Sequence, residues 1–350
     1  MNNSPRFPLA HLPTPLETLS HLTATLGGPR LFIKRDDQTG LALGGNKTRK
    51  LEFLIADALA KKADVILTAG AAQSNHCRQT AAAAAKAGLR CVLVLGGSEP
   101  DVPNGNLLLD YLLGAKVHWT TREKRIERMG EIAEQMRKQG HVPYVIPYGG
   151  SNGVGAQGYV LAMQELMEQV TEQKERVDQI VVASSSGGTQ AGLVLGAKVL
   201  GYTGRIIGIS IDKGEHDPDC FEEEMAEIAN ATAEVMGVSE QVNAADFEVS
   251  YGYLGGGYGV VGELEREAIS LMATHEGIIL DPVYAGRAFG AMVDMIRRGF
   301  VGEADRAENS HYVEGRRQKA AGGKQSTVLF WHTGGAPACF AYSEELRVKS

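Results

Sequence analysis

Gly44-Gly45-Asn46-Lys47-Thr48-Arg49-Lys50-Leu51 sets a lysine directly after a glycine turn and at the head of an apolar run. Leu51, Phe53, Leu54 and Ala58 recur at helical spacing, which predicts a helix starting at or beside Lys47 and running to about Lys62. The free N–H groups of a helix N-terminus attract anions and disfavour a cation. A lysine seated there and partly buried loses proton affinity, and its neutral amine becomes a nucleophile of the kind that condenses with an aldehyde. Gly40 to Thr48 also resembles a P-loop, but that motif needs lysine immediately after the second glycine, and Asn46 intervenes. On these eight residues alone, a solvated surface lysine is an equally open reading.

Outward from this stretch, strands alternate with helices. Residues 31–35 read as a strand that ends in the Asp36–Gly40 turn, and residues 1–30, punctuated by proline, as an extended surface segment. Further strands are predicted at 64–68, 90–95, 116–119, 144–147, 178–183, 205–211, 247–253, 277–280 and 327–331. Helices are predicted at 76–88, 106–113, 122–140, 159–173, 190–200, 262–275 and 284–298, with an acidic helical stretch in 215–243 and a glycine-rich loop reaching Gly158. This order implies an α/β protein with mostly parallel sheets, helices on both faces, and ligands bound at the carboxyl ends of strands. The candidate site loops are then 70–75, 149–157, 184–189, 281–285 and 332–337. Residues 301–326 are polar without a steady period and read as a mobile surface insertion, with a lid as the alternative.

A chain of 350 residues holds one large or two ordinary domains, and 43% hydrophobic with 22% charged residues supports a sizeable core. A net charge of −7 and a pI near 5.8 argue against nucleic acid as a partner. Cys77, Cys91, Cys220 and Cys339 show neither CxxC spacing nor a nearby histidine cluster, so no metal site is indicated and the thiols read as reduced. The first twenty residues carry four prolines and no apolar signal core, and no apolar run approaches a membrane span. A soluble, cytoplasmic protein is expected.

Three further stretches carry chemistry. Ser184-Ser185-Ser186-Gly187-Gly188-Thr189 follows a strand and opens a helix, so its N–H groups and hydroxyls suit an anion; a plain turn with a serine cap is the alternative. Together with Lys47 it offers the amine and the anion cradle that pyridoxal phosphate requires. Gln73-Ser74-Asn75-His76 closes another strand with more polar groups than helix capping needs, although Ser74 or Asn75 could serve as a cap and His76 reads as structural. Gly257-Tyr258-Gly259-Val260-Val261-Gly262 fits the dinucleotide fingerprint and keeps a nicotinamide-dependent oxidoreductase as the alternative from a different class. Its strand ends early, at about Tyr253, and the fingerprint normally occupies the first βα turn of a fold.

Taken together, Ile33-Lys34-Arg35-Asp36-Asp37, the Gly44–Glu52 stretch, Gln73–His76, Ser186–Gly192, Asp281-Pro282-Val283-Tyr284 and His332-Thr333-Gly334-Gly335-Ala336-Pro337 resemble the D-cysteine desulfhydrase and 1-aminocyclopropane-1-carboxylate deaminase family. The resemblance implies a tryptophan-synthase-β-like fold (pyridoxal phosphate fold type II) of two open, twisted, mostly parallel sheets. It implies a larger cofactor domain from residues 1–50 plus 162–350, a smaller domain inserted at 51–161, and a homodimer. By the same resemblance Lys47 is the Schiff-base lysine, Lys50 contacts the phosphate, and Ser186, Gly187, Gly188 and Thr189 form the phosphate loop. Asn75 faces the cofactor's phenolic oxygen, Ser74 is a catalytic serine near the substrate carboxylate with Gln73 beside it, Tyr258 and Tyr284 are active-site tyrosines, and Gln73, Ser74, Asn75 and Tyr284 bind the substrate. Family members that open the cyclopropane ring carry Glu and Leu where this chain has Ala285 and Thr333; Thr333 can only hydrogen-bond a neutral pyridine nitrogen. The implied reaction is β-elimination from a small amino acid, D-cysteine giving pyruvate, hydrogen sulfide and ammonia, with an L-cysteate sulfo-lyase or the cyclopropane deaminase as alternatives.

Overall fold

A computed structural model describes residues 4–214, 220–301 and 325–347. In chain order the elements are β1 (Leu16–Thr18), α1 (Ser20–Leu26), β2 (Arg30–Arg35), α2 (Lys47–Ala60), β3 (Val65–Ala71), α3 (Asn75–Lys86), β4 (Arg90–Gly96), α4 (Gly105–Leu112), β5 (Lys116–Thr120), α5 (Arg125–Lys138), β6 (Pro143–Val145) and α6 (Gly153–Glu172). There follow β7 (Gln179–Ser184), α7 (Gly188–Leu200), β8 (Arg205–Ser210), α8 (Phe221–Met236), β9 (Glu248–Ser250), α9 (Glu263–Glu276), α10 (Ala285–Arg298) and β10 (Thr327–His332).

The strands form two sheets. One has six strands in the order β1-β2-β10-β7-β8-β9, parallel except for the β1–β2 pair. The other has four strands in the order β5-β4-β3-β6, all parallel. Strand alternation gives the larger sheet two apolar faces. Phe32, Ile180, Val182, Leu329 and Trp331 point to α6, α7 and α8; Leu31, Ile33, Val181, Val328 and Phe330 point to α1, α9 and α10. In the smaller sheet Ile66, Cys91, Leu93 and Leu95 pack on α2, α3 and α4, while Val65, Leu67, Val92 and Val94 pack on α5. All four cysteines are free thiols.

Several elements differ from the sequence reading. Residues 1–30 are not uniformly extended: β1 pairs with β2, and α1 buries Leu22 beneath that pair's sheet. The glycine-rich loop is shorter than predicted, since α6 starts at Gly153. Its glycines serve close packing: a Cβ on Gly158 would run into the Arg49 carbonyl of α2. Residues 277–280 bury Ile278 and Leu280 without pairing as a strand, and 247–253 pairs only over Glu248–Ser250. The predicted insertion at 301–326 lies almost wholly outside the described residues.

Candidate active site

The larger sheet and α2 meet at a buried carboxylate. Asp36, just past β2, accepts from Arg49 Nε (3.0 Å to each oxygen) and Nη2 (2.8 Å), Tyr159 OH (2.6 Å), Trp331 Nε1 (2.9 Å) and Thr14 Oγ1 (2.9 Å). Glu165 of α6 joins it through Arg49 and Lys34. The turn ahead of α2 is fixed as tightly: Gly45 N donates to Asp36 O (3.1 Å) and Asn46 N to Thr333 O (2.9 Å). The first helical residue, Lys47, is thereby held at the carboxyl ends of the strands.

The Lys47 amine donates to Asn46 Oδ1 at 3.0 Å. Burial lowers its pKa to about 8 against the opposing field of Asp281. Asp281 itself caps α10, accepting from the N–H groups of Val283, Tyr284 and Ala285 at 2.8–3.0 Å. One turn after Lys47, the fully buried Lys50 donates to Gly149 O and Ser151 Oγ, both at 3.2 Å, and no carboxylate pairs with it among the described residues. Burial, then the neighbouring Lys47, pushes its pKa well down. Ser151 Oγ continues to Ser186 Oγ (2.8 Å) and accepts from Gly188 N (3.2 Å). The cap residue of α7, Gly187, has no side chain, so beyond the Gly188 N–H held by Ser151 the next N–H groups of the first turn are left for an anion. Gly149 (φ 67°) must be glycine, because a Cβ there would collide with Ser186 Oγ.

Several of these groups line a cleft at the carboxyl ends of the strands. Lys47, Ser74, Asn75 and Tyr284 line it, together with Ser186, Gly187, Thr189 and Thr333. Ser74, on the cavity wall, also caps α3 by accepting from Cys77 N (3.2 Å). Tyr258 reaches the site through a 2.7 Å hydrogen bond to Tyr284 and faces an adjoining cleft that shares Tyr148. Burial raises the phenol pKa values of Tyr148, Tyr258 and Tyr284.

Not every expected residue turns inward. Gln73 does not line the cavity; its side chain binds Asn104 O (3.2 Å) and Asn106 N (2.8 Å) at the start of α4. Ala285, the first residue of α10, is buried in the core rather than on the cavity wall, while Thr333 is on it. Lys50 and Gly188 do not line the cavity either; both hydrogen-bond to Ser151 Oγ behind it. Asn46, Tyr148, Ser151 and Asp281 were not singled out as site side chains from the sequence. Asn46 Nδ2 ties Lys47's neighbour to Thr189 Oγ1 at 3.2 Å. His76 lines the cavity, binds Thr68 Oγ1 through Nε2 (2.8 Å), and is kept neutral by burial and by the two lysines.

The dinucleotide reading fails on geometry. β9 is three residues long and ends at Ser250, well before Gly257. Glu263 and Glu265 occupy the first turn of α9, where a pyrophosphate would have to sit. Among the described residues no group of three His, Cys, Asp or Glu is placed to hold a metal, and no helix is long and apolar enough to cross a membrane.

Residues 8–307 match the model of the pyridoxal-phosphate dependent enzyme family. The chain belongs to that family. Its cofactor is pyridoxal phosphate, and the cavity fits the group: a low-pKa amine and the Ser184–Thr189 turn at the head of α7 both line it, and the buried Lys50 amine stands behind that turn through Ser151. A D-cysteine desulfhydrase of Klebsiella pneumoniae (strain 342) is 41% identical over 348 residues, 98% of this chain and 97% of the relative. A putative 1-aminocyclopropane-1-carboxylate deaminase of Pyrococcus horikoshii is 39% identical over 346 residues, 98% and 95% of the two chains. The crystal structure of an ACC deaminase homologue superposes with a TM-score of 0.83 at 38% identity, covering 98% of this chain and 95% of that one. The expected α/β architecture of two mostly parallel sheets is thus the fold of this pyridoxal-phosphate enzyme.

Proposed function

We propose that this enzyme is a lyase that eliminates a leaving group from Cβ of a small amino acid, with D-cysteine as substrate and pyruvate, hydrogen sulfide and ammonia as products. The observation that carries the reading is the Lys47 amine, lowered to about 8 and placed on the wall of the cavity. Pyridoxal phosphate, when bound, supplies the electron sink that lets Cα lose a proton. Lys47 holds it, and with a pKa near neutrality its Nζ can take and return that proton. Lys50, Ser186, Gly187, Gly188 and Thr189 hold the phosphate, Asn75 the phenolic oxygen, and Thr333 the ring nitrogen. Ser74 binds the substrate carboxylate, with Gln73 fixing its loop from outside. Tyr284 and Tyr258, whose raised pKa values keep them protonated, guide a proton to the departing sulfur.

Support for D-cysteine comes from the 41% identical desulfhydrase and from the hydroxyl at Thr333. The deaminase-named relatives favour ring opening as the second reading. L-Cysteate is the third substrate to weigh. The division into domains 1–50 plus 162–350 and 51–161, a homodimeric assembly and a cytoplasmic location belong to the same proposal. The strand order supports the division, and α6, which runs through residue 161, joins its two parts. The test is a turnover panel of D-cysteine, L-cysteine, L-cysteate, D-serine and the cyclopropane acid. Pyruvate formed fastest from D-cysteine supports the reading; α-ketobutyrate from the cyclopropane acid as the dominant product overturns it.

A further inference from the structure

Asn75 can offer the cavity either an N–H or a carbonyl oxygen, and a chain of contacts decides which. Arg78, fully buried on α3, donates from Nε to Asn106 Oδ1 at 2.7 Å. A guanidinium has no acceptor, so the oxygen of Asn106 must face it and the amide nitrogen must face away. That nitrogen donates to Asn75 Oδ1 (2.8 Å) and to Gln73 O (3.0 Å). With its oxygen taken, Asn75 keeps Nδ2 free: it has no protein acceptor among the described residues, and the residue lines the cavity.

We propose that Arg78 and Asn106 are positioning residues that set the polarity of the Asn75 amide, so that the cavity receives an N–H donor for an anionic phenolic oxygen. The inference rests on the cofactor placement given above for Asn75. Arg78 also donates to Ala42 O and to Gly44 O (2.9 Å), the carbonyls of the turn that leads to Lys47. One cation therefore fixes both the turn behind the amine and the direction of the amide. Because Arg78 cannot exchange donor for acceptor, neither Asn106 nor Asn75 can reverse without leaving two acceptors or two donors in contact.

The test is the pH titration of the near-visible band of the full-length protein loaded with pyridoxal phosphate. Asn106→Asp still accepts from Arg78 but cannot donate to Asn75, which then turns its oxygen inward. A donor to a phenolate favours the charged form, so its loss should raise the midpoint by about one pH unit. Asn75→Ala should give the same rise, and the double variant no further rise. Should Asn106→Asp not fold, Asn106→Ala carries the test in the same direction. A wild-type midpoint in the Asn106 variants, or shifts that add in the double variant, overturns the proposal. A wild-type protein that shows no near-visible band would overturn the cofactor placement itself, a different failure.

Discussion

Arg49 and Asp36 form a forked, fully buried pair two residues beyond the reactive amine, with Arg49 Nε 3.0 Å from both carboxylate oxygens and Nη2 2.8 Å from one. The pair fastens the first turn of α2 to the larger sheet, while the rest of α2 packs on the smaller one. Removing one partner leaves an uncompensated buried charge, which costs about 3–5 kcal/mol. Arg49→Met should lower stability by that amount at neutral pH, read by chemical denaturation.

The same cluster sets an acid limit. Burial would raise the Asp36 and Glu165 carboxyls, but the field and hydrogen bonds of Arg49 outweigh it and hold both below their ordinary range. A group with a depressed folded pKa contributes its stability above the unfolded value of about 4 and loses it as pH falls through the folded value. Thermal midpoints should therefore drop below about pH 4, and Asp36→Asn should flatten that drop while lowering the midpoint at pH 7. An unchanged acid limb in the variant would contradict the assignment.

Lys50 is a buried amine without a carboxylate, its pKa pushed well down by burial, so it adds little to the cofactor-free protein and gains a partner only when an anion binds. Lys50→Met should leave the cofactor-free protein at least as stable as wild type. It should also weaken pyridoxal phosphate binding by about 10–100-fold, the worth of a hydrogen bond to a charged group. Pyridoxal without its phosphate should bind both proteins alike. Equal losses for the two ligands would remove Lys50 from the phosphate site.

Thr333 is on the cavity wall and Ala285 behind it, at the head of α10. Thr333→Leu with Ala285→Glu should move turnover from D-cysteine towards the cyclopropane acid. Glu at 285 enters a fully buried site, so Thr333→Leu alone is expected to express better and to lose D-cysteine turnover first. Unaltered preference in both variants would show that other residues select the substrate.

The amine and its helix were legible because a glycine turn, a lysine and an apolar stripe are contiguous. The phosphate turn was legible because a strand, small residues and a helix follow in order. Ser151 and Asn106 were not, since each joins the site through contacts about 30 to 100 residues away that only the folded topology brings together. The glycines of α6 misled for a related reason: composition marks them as loop formers, yet Gly158 is small to let α2 approach. Gln73 misled in the opposite direction, since a polar residue beside the site was assigned to substrate and instead pins α4.

The central claim is that Lys47, and no other lysine, carries the cofactor. Borohydride reduction of the protein loaded with pyridoxal phosphate, followed by peptide mass mapping, reads this directly, because reduction fixes the cofactor to whichever amine holds it. The added mass is expected on Lys47, with labelling rising as pH approaches about 8, where burial places the amine's pKa, and with loss of the near-visible band in Lys47→Ala. The added mass on Lys50 or another lysine, or a band that survives in Lys47→Ala, would contradict it.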